Sequence, residues 1–101
     1  MSIATAPEQA RMLVSGDIDL GTVDALTDAS GRLLGGRPDR IVLDLSGTRL
    51  CDAAGLGALA RIHLECRDAG CELVLANVAP SVRMVIDLVG MDRLLHFEDQ
   101  A

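Results

Sequence analysis

The fold is decided by the stretch Ile41-Val42-Leu43-Asp44-Leu45, followed after a short loop by Cys51-Asp52-Ala53-Ala54-Gly55-Leu56-Gly57. The near-continuous apolar run at its start predicts a strand buried on both faces of a mixed or parallel sheet. Asp52 is a good helix N-cap, because its carboxylate accepts hydrogen bonds from the free N–H groups of a first helical turn. The stretch therefore predicts a strand followed by a helix over about 53–68, with Gly70 beyond its end.

Strands and helices alternate outward from this stretch. On the N-terminal side, the sequence predicts strands over 3–5 and about 10–15, joined by a turn over 6–8, and then a helix over 22–34. On the C-terminal side, it predicts a strand over 72–76, a helix beginning at Pro80, and a last short strand or helical turn over 94–97. Alternation implies crossover connections and parallel strands, and the first hairpin adds one antiparallel pair. The predicted fold class is α/β, a mixed, largely parallel sheet of four to five strands packed with about three to four helices.

Composition limits the possible functions. The 101 residues suit one domain, residues 1–101, and 50% of them are hydrophobic. Nine basic residues against fifteen acidic ones, with a single aromatic residue, disfavour nucleic acid and anionic membranes as partners and permit a partner with a basic face. No apolar run approaches the roughly 18 residues that would insert into a membrane. The first eight residues lack the features of a signal peptide, so we expect a cytoplasmic protein.

The residues that carry chemistry in enzymes are not arranged here for catalysis. Cys51, Cys66 and Cys71 fit no metal-ligand spacing and are predicted to be small buried hydrophobic residues. A Cys66–Cys71 bridge is a minor alternative in an oxidised sample. His63 is predicted to be a hydrogen-bonded core residue. Because no Ser/His/Asp set, metal cluster or phosphate-binding glycine loop is present, the sequence predicts no catalytic residue, no metal and no cofactor.

The predicted helix over 53–68 has two features of its own. Gly55 and Gly57 disfavour helix, so either a partner approaches the backbone closely or the turn packs against the chain's own strands. Helical projection gives an inward arc made up of Leu56, Leu59, Ala60, Ile62, His63 and Cys66. The opposite side holds Ala54, Ala58, Arg61, Glu65 and Asp68. We therefore expect a contact surface along Ala54, Ala58 and Arg61, where small residues admit a partner.

Three motifs resemble those of STAS domains, most closely the bacterial anti-sigma factor antagonists (anti-anti-sigma factors). Val42-Leu43-Asp44-Leu45 with the Cys51 to Gly57 stretch is similar to the core motif of the family. Ser15-Gly16-Asp17-Ile18-Asp19 is similar to its Gly-Glu-Leu-Asp motif after the second strand, and residues 76–82 resemble the start of its third helix. The motifs occur in the family's order and extend over nearly the whole chain.

The resemblance implies a STAS-like fold and a regulatory switch. An antagonist of this class binds an anti-sigma factor, usually a serine kinase of the histidine-kinase-like ATPase fold, and so releases a sigma factor. The kinase phosphorylates a serine in an Asp-Ser-Ser-Gly stretch and ends the interaction, and a phosphatase restores it. The resemblance and the helical projection together predict partner-binding residues Asp17, Asp19, Cys51, Asp52, Ala53, Ala54, Gly55, Leu56, Ala58 and Arg61.

This chain departs from the family at the switch. Ala54 matches the phosphoacceptor position and follows Ala53, so neither residue has a hydroxyl to phosphorylate. Three explanations are open: the chain is naturally fixed in the binding state, it has lost the kinase circuit and binds something else, or its alanines were engineered to block the switch. We favour natural alanines, because an experiment that blocks phosphorylation needs only one substitution. Ser46 and Thr48 lie nearby and are interpreted as turn and capping residues, with Thr48 as a substitute acceptor the alternative.

Other hypotheses concern the third helix and the class of protein. Met84, Leu88 and Met91 form an apolar stripe roughly opposite the inner face of Val82, Val85, Ile86 and Val89. The stripe packs against neighbouring segments, or it is a homodimer or second-partner surface. The alternative functions are a STAS subunit of another assembly, such as a lipid-transport complex or a stress-signalling scaffold, and a small-molecule or nucleotide sensor.

Overall fold

A computed structural model describes residues 2–5 and 8–98 of the chain and contains the predicted alternation. The strands are β1 Ser2–Thr5, β2 Gln9–Ser15, β3 Arg40–Gly47, β4 Glu72–Ala76 and β5 His96–Phe97. The helices are α1 Val23–Gly35, α2 Ala53–Asp68 and α3 Pro80–Leu88, and a single 3₁₀ turn, Met91–Arg93, precedes β5. The bounds predicted for α2 and β4 are therefore confirmed without change.

The strands form one sheet in the order β1-β2-β3-β4-β5. β1 is antiparallel to β2, with Thr5 opposite Ala10, and every later neighbour is parallel. The predicted hairpin and the predicted mixed α/β class are both confirmed. Ala6 and Pro7 of the predicted turn lie outside the described residues.

Local chemistry explains where the helices begin and end. Asp52 caps α2 through a hydrogen bond from Gly55 N, which fixes the first residue of that helix. Pro80 is the first residue of α3, a position where its missing N–H costs nothing. Gly90 follows α3 with φ of +77°, a left-handed conformation that turns the chain towards β5.

Both faces of β3 are buried, as predicted, but by different means. On one face, Leu43 and Leu45 join a core cluster that contains buried residues from all three helices. On the other face, Val42 clusters with Val74 and Ala76 of β4. Arg11 and Asp44, whose side chains are ion-paired at 3.2 Å, border this smaller cluster. The helices thus cover the sheet from one side, and the loops at its edge connect the strands to these helices.

The end of α3 differs from its predicted pattern. Val82 and Ile86 are buried, and Val85 is half-buried, as the inner face requires. Val89 is 55% exposed, so its assignment to that face is wrong. The physical reason is that α3 ends at Leu88, and Val89 then follows the turn at Gly90 instead of the helical period.

The three cysteines are free and buried, as predicted. Burial, reinforced by the neighbouring carboxylate of Asp52, raises the pKa of the Cys51 thiol to about 11. Burial, together with the adjacent Cys71, raises the pKa of the Cys66 thiol to about 12. Because the thiolate is the reactive form, the raised pKa keeps the thiols of Cys51 and Cys66 protonated and unreactive, as expected of buried core residues.

Candidate functional site

The turn at Asp52 lies where two parallel strands end. β2 and β3 run side by side, and the loops that leave their carboxyl ends pair through a bridge between Ile18 and Cys51. Ile18 N donates to Leu50 O at 2.9 Å, and Asp52 N donates to Ile18 O at 3.1 Å. The loop before α1 and the loop before α2 therefore form one unit at this edge of the sheet.

Asp52 holds this unit together. Its Oδ1 accepts from Gly55 N at 2.8 Å, and its Oδ2 accepts from Leu20 N at 3.3 Å. Both carboxylate oxygens thus accept backbone N–H groups, one from α2 and one from the other loop. The predicted N-cap is confirmed, and the carboxylate positions the loop of Leu20 against the start of α2.

The two glycines have different roles. A Cβ at Gly55 would overlap Ile18 O and lie 2.8 Å from Cys51 Sγ, so the chain itself approaches the backbone there. A Cβ at Gly57 would meet nothing within 4 Å. At Gly55, therefore, the turn packs against the chain itself, which is one of the two alternatives for the glycines. At Gly57, open space lies beside an exposed stretch of helix backbone, so a partner can approach there.

The exposed side of α2 is rotated from the predicted one. Ala58 is only 7% exposed, so the expectation that it faces solvent beside Arg61 is wrong. The reason is that α1 packs alongside α2, which widens the covered arc of the helix beyond the stripe that faces the sheet. The exposed small residues are instead Ala53 and Gly57, with Arg61 one turn further on.

The other predicted site residues fall into two groups. Cys51, Gly55 and Leu56 are buried, so their side-chain positions are not available at the surface. The physical reason is that these residues pack inside the strand-to-helix turn. A motif contains packing residues and partner-contacting residues alike, so the resemblance alone does not tell one kind from the other. Those that reach the surface fully or in part are Asp17, Asp19, Asp52, Ala53, Ala54 and Arg61.

Two exposed leucines flank the start of α2 and were not predicted. Leu20 is 77% exposed and Leu50 is 55% exposed, each in a loop of the paired unit. Their signal in the sequence is weak, because a single leucine in a turn belongs to no helical or strand period. We call Leu20, Leu50, Ala53, Gly57 and Arg61 the contact face.

The acidic loop before α1 is a turn whose polar groups bond locally. Asp19 Oδ1 accepts from Gly21 N at 3.0 Å, and Thr22 Oγ1 donates to Asp17 O at 2.9 Å. The Asp17 side chain is exposed, and that of Asp19 is half-exposed. Two carboxylates therefore lie on either side of Ile18, next to Leu20.

The hydroxyls near Ala54 are placed differently from one another. Thr48 is fully buried, and its Oγ1 donates to Gly16 O at 2.9 Å, which ties the β3–α2 loop to the end of β2. The hydroxyl therefore makes a long-range bond between two loops and not the local turn or capping bond that was predicted, and Thr48 is not available at the surface. Ser46 is exposed, and its N donates to Asp44 Oδ1 at 3.0 Å.

His63 lies outside the contact face. It is half-buried rather than a core residue, and its ring stacks on that of His96 at 6.0 Å between centroids. His96 Nδ1 is 3.5 Å from Glu72 Oε2. Desolvation, the neighbouring His96 and Arg67 lower the pKa of His63.

The described part of the chain offers neither a metal-binding cluster nor a membrane-spanning helix. Over 2–5 and 8–98, no group of three or more His, Cys, Asp or Glu side chains is arranged to hold a metal ion. Within the same part of the chain, no helix has the length and apolar character needed to cross a membrane.

Comparisons with known proteins identify similar sequences and folds. A family model described as Mlab, STAS domain, matches residues 1–96. A solved structure of an anti-sigma factor antagonist from Mycobacterium paratuberculosis is 27% identical with a TM-score of 0.80, covering 98% of this chain and 84% of that one. A putative anti-sigma factor antagonist from Thermotoga maritima is 17% identical with a TM-score of 0.85, covering 98% and 86%. A sulfate transporter family protein from Wolinella succinogenes is 19% identical with a TM-score of 0.79, covering 95% and 80%; identities this low show the fold alone.

Proposed function

The chain belongs to the STAS domain family, and from that premise we propose that it is a non-catalytic anti-sigma factor antagonist. In this proposal, residues 1–101 act as one STAS domain in the cytoplasm. The domain binds an anti-sigma factor of the serine-kinase type, and that binding releases a sigma factor. The likeness to the Mycobacterium paratuberculosis antagonist supports this class.

The observation that carries the proposal is the contact face. Leu20 is 77% exposed and Leu50 is 55% exposed, in the two loops that meet at Asp52, and Ala53 and Gly57 are exposed on the helix that begins there. Two exposed leucines around small residues give a partner apolar surface to bury and room to reach the helix backbone. The strand ends of an open α/β sheet are also where such proteins place their binding sites.

The charge of the face fits a basic partner. Asp19 adjoins Leu20, Asp17 lies in the same loop with an exposed side chain, and the whole chain carries a formal charge of −6. Complementary charge increases the rate of association and orients the partners, while the apolar contacts supply affinity. We therefore expect the anti-sigma factor to present basic side chains around an apolar centre.

The phosphate switch of the class does not operate at residue 54 in this proposal. A phosphate would add a charge of about −1.5 to −2 beside the contact face, which explains how phosphorylation ends binding in antagonists that carry a serine. Ala54 has no acceptor oxygen, and Thr48 is buried with its hydroxyl bonded. The chain therefore stays competent to bind while the kinase and ATP are present.

A second candidate is a STAS subunit of another assembly, such as a lipid-transport complex. The matching family model is described by the name Mlab and not as an anti-sigma factor antagonist. The fold likeness to a sulfate transporter family protein points in the same direction. In this case, the same contact face would bind a transporter subunit.

The test is binding of the purified serine-kinase anti-sigma factor of the source organism, measured by calorimetry. Gly57→Glu places a charged side chain in the open space of the contact face, and Gly31→Glu is the matched control, because a Cβ at Gly31 also meets nothing within 4 Å. We expect Gly57→Glu to weaken binding at least 30-fold, which is the effect of a hot spot, and Gly31→Glu to leave it within twofold. Equal affinity of the two variants contradicts the assigned face, and absence of binding by the unchanged chain contradicts the function.

A further inference from the structure

The exposed apolar stripe of α3 begins beside the contact face. Ser81 Oγ donates to Arg49 O at 2.9 Å, so the first turn of α3 touches the loop that carries Leu50. Met84 lies three residues after Ser81, and Leu88 lies seven residues after it. This spacing places all three residues on one side of a helix. The stripe therefore runs along α3 away from the Arg49–Leu50 loop.

The stripe is more exposed than a side chain packed on its own chain would be. Met84 is 58% exposed and Leu88 is 77% exposed, while Met91 is half-buried against the core. Of the two alternatives, packing against neighbouring segments therefore holds for Met91 but not for Met84 and Leu88 within the described residues, and the exposed stripe shortens to these two side chains. Arg83 points elsewhere, with its guanidinium 3.8 Å from the centre of the Phe97 ring.

Size and charge decide against a second copy of the chain as the occupant. Two exposed side chains cover at most a few hundred Å², whereas a stable specific interface buries roughly 800 Å² on each partner. Two copies would also each bring a formal charge of −6, which opposes association. A basic partner meets no such repulsion, and joining the stripe to the contact face gives it more apolar surface than the stripe offers alone.

We propose that Met84 and Leu88 extend the contact face, so that one basic partner covers α3 and the start of α2 together. The inference rests on the proposed function and names the anti-sigma factor as the occupant. The Arg49–Leu50 loop, which the first turn of α3 touches through Ser81, connects the two parts. The acidic residues Asp17 and Asp19 then mark one end of the surface, and Leu88 marks the other.

The test compares Leu88→Ser with Val89→Ser. The two residues are adjacent and both exposed, but Leu88 is the last residue of α3, whereas Val89 lies beyond the helix at the turn before Gly90, so Val89 is a matched control off the helical stripe. Both variants are expected to unfold within about 3 °C of the unchanged chain, because exposed substitutions rarely alter stability by much. Affinity for the purified serine-kinase anti-sigma factor is measured by calorimetry, and the mass of the chain alone by sedimentation equilibrium, with Gly57→Glu alongside.

We expect Leu88→Ser to weaken binding about tenfold, Val89→Ser to change it less than twofold, and every form to sediment as a monomer. Unchanged affinity of Leu88→Ser, while Gly57→Glu still loses affinity, overturns the extension and leaves the proposed function standing. If Leu88→Ser and Val89→Ser lose affinity equally, the loss does not come from the stripe, and the extension is overturned. A dimer that Leu88→Ser dissociates identifies a second copy as the occupant, and failure of the unchanged chain to bind overturns function and extension together.

Discussion

Gly55 and Gly57 are two residues apart in α2, yet alanine should act on them in opposite directions. At Gly55, the new Cβ would overlap Ile18 O and crowd Cys51 Sγ. Ile18 O accepts the hydrogen bond from Asp52 N at 3.1 Å that joins the two loops, so it cannot move away without weakening that bond. At Gly57, the new Cβ enters open space.

The magnitudes follow from separate effects. Overpacking of a rigid site costs about 1–3 kcal/mol, and a weakened hydrogen bond adds about 1 kcal/mol. The better helix propensity of alanine returns about 0.5–1 kcal/mol. Gly55→Ala should therefore lower the free energy of unfolding by about 2 kcal/mol, whereas Gly57→Ala keeps only the propensity gain and should raise it by about 0.5–1 kcal/mol.

Urea denaturation followed by circular dichroism measures both changes. For a chain of this size, about 2 kcal/mol corresponds to a fall in Tm of about 10 °C, and the gain at Gly57 corresponds to a rise of a few degrees. The slope of the urea transition should stay constant, so that the midpoint reports stability. A Gly55→Ala chain as stable as the unchanged one would refute the close packing of this turn, and a destabilised Gly57→Ala would refute the open space beside it.

Three further predictions concern the same region and the histidine pair. Asp52→Ala should lower the free energy of unfolding by about 1–2 kcal/mol in urea, because it removes the cap of α2; an unchanged midpoint would contradict the capping role. Ala58→Glu should abolish a cooperative thermal transition or lower Tm by more than 10 °C, because it buries a charge, and a native Tm would show that Ala58 is not covered. His63 has a lowered pKa, so its contribution to stability is present above its unfolded pKa of about 6.5 and is lost as the pH falls through its lower folded value. Urea midpoints should therefore fall more between pH 7 and pH 5 in the unchanged chain than in His63→Gln, and parallel pH profiles would contradict this.

Local signals predicted the elements well. Asp52 marked the start of α2, short apolar runs marked β3 and β4, and Pro80 marked α3, because each signal depends only on neighbouring residues. The family motifs then indicated a STAS-like fold. These features do not depend on how one helix lies against another.

The surface was harder to predict, because exposure depends on tertiary packing. Ala58 is buried because α1 lies alongside α2, which no period within α2 reveals. Leu20 and Leu50 come together through the Ile18–Cys51 bridge, a pairing between loops more than thirty residues apart in the sequence. Gly55 and Gly57 look alike in the sequence and differ only in what lies beside them.

The central claim is that this chain binds an anti-sigma factor through a face whose phosphate switch is missing at residue 54. The measurement that tests it most directly is the lifetime of the complex with the purified serine-kinase anti-sigma factor in the presence of Mg²⁺-ATP. Ala54→Ser restores a hydroxyl at the matching position. We predict that the unchanged chain stays bound without incorporating phosphate, whereas the Ala54→Ser chain becomes phosphorylated and dissociates. Release of the unchanged chain at the same rate as Ala54→Ser, or phosphate incorporated at another of its residues with loss of binding, would contradict the account.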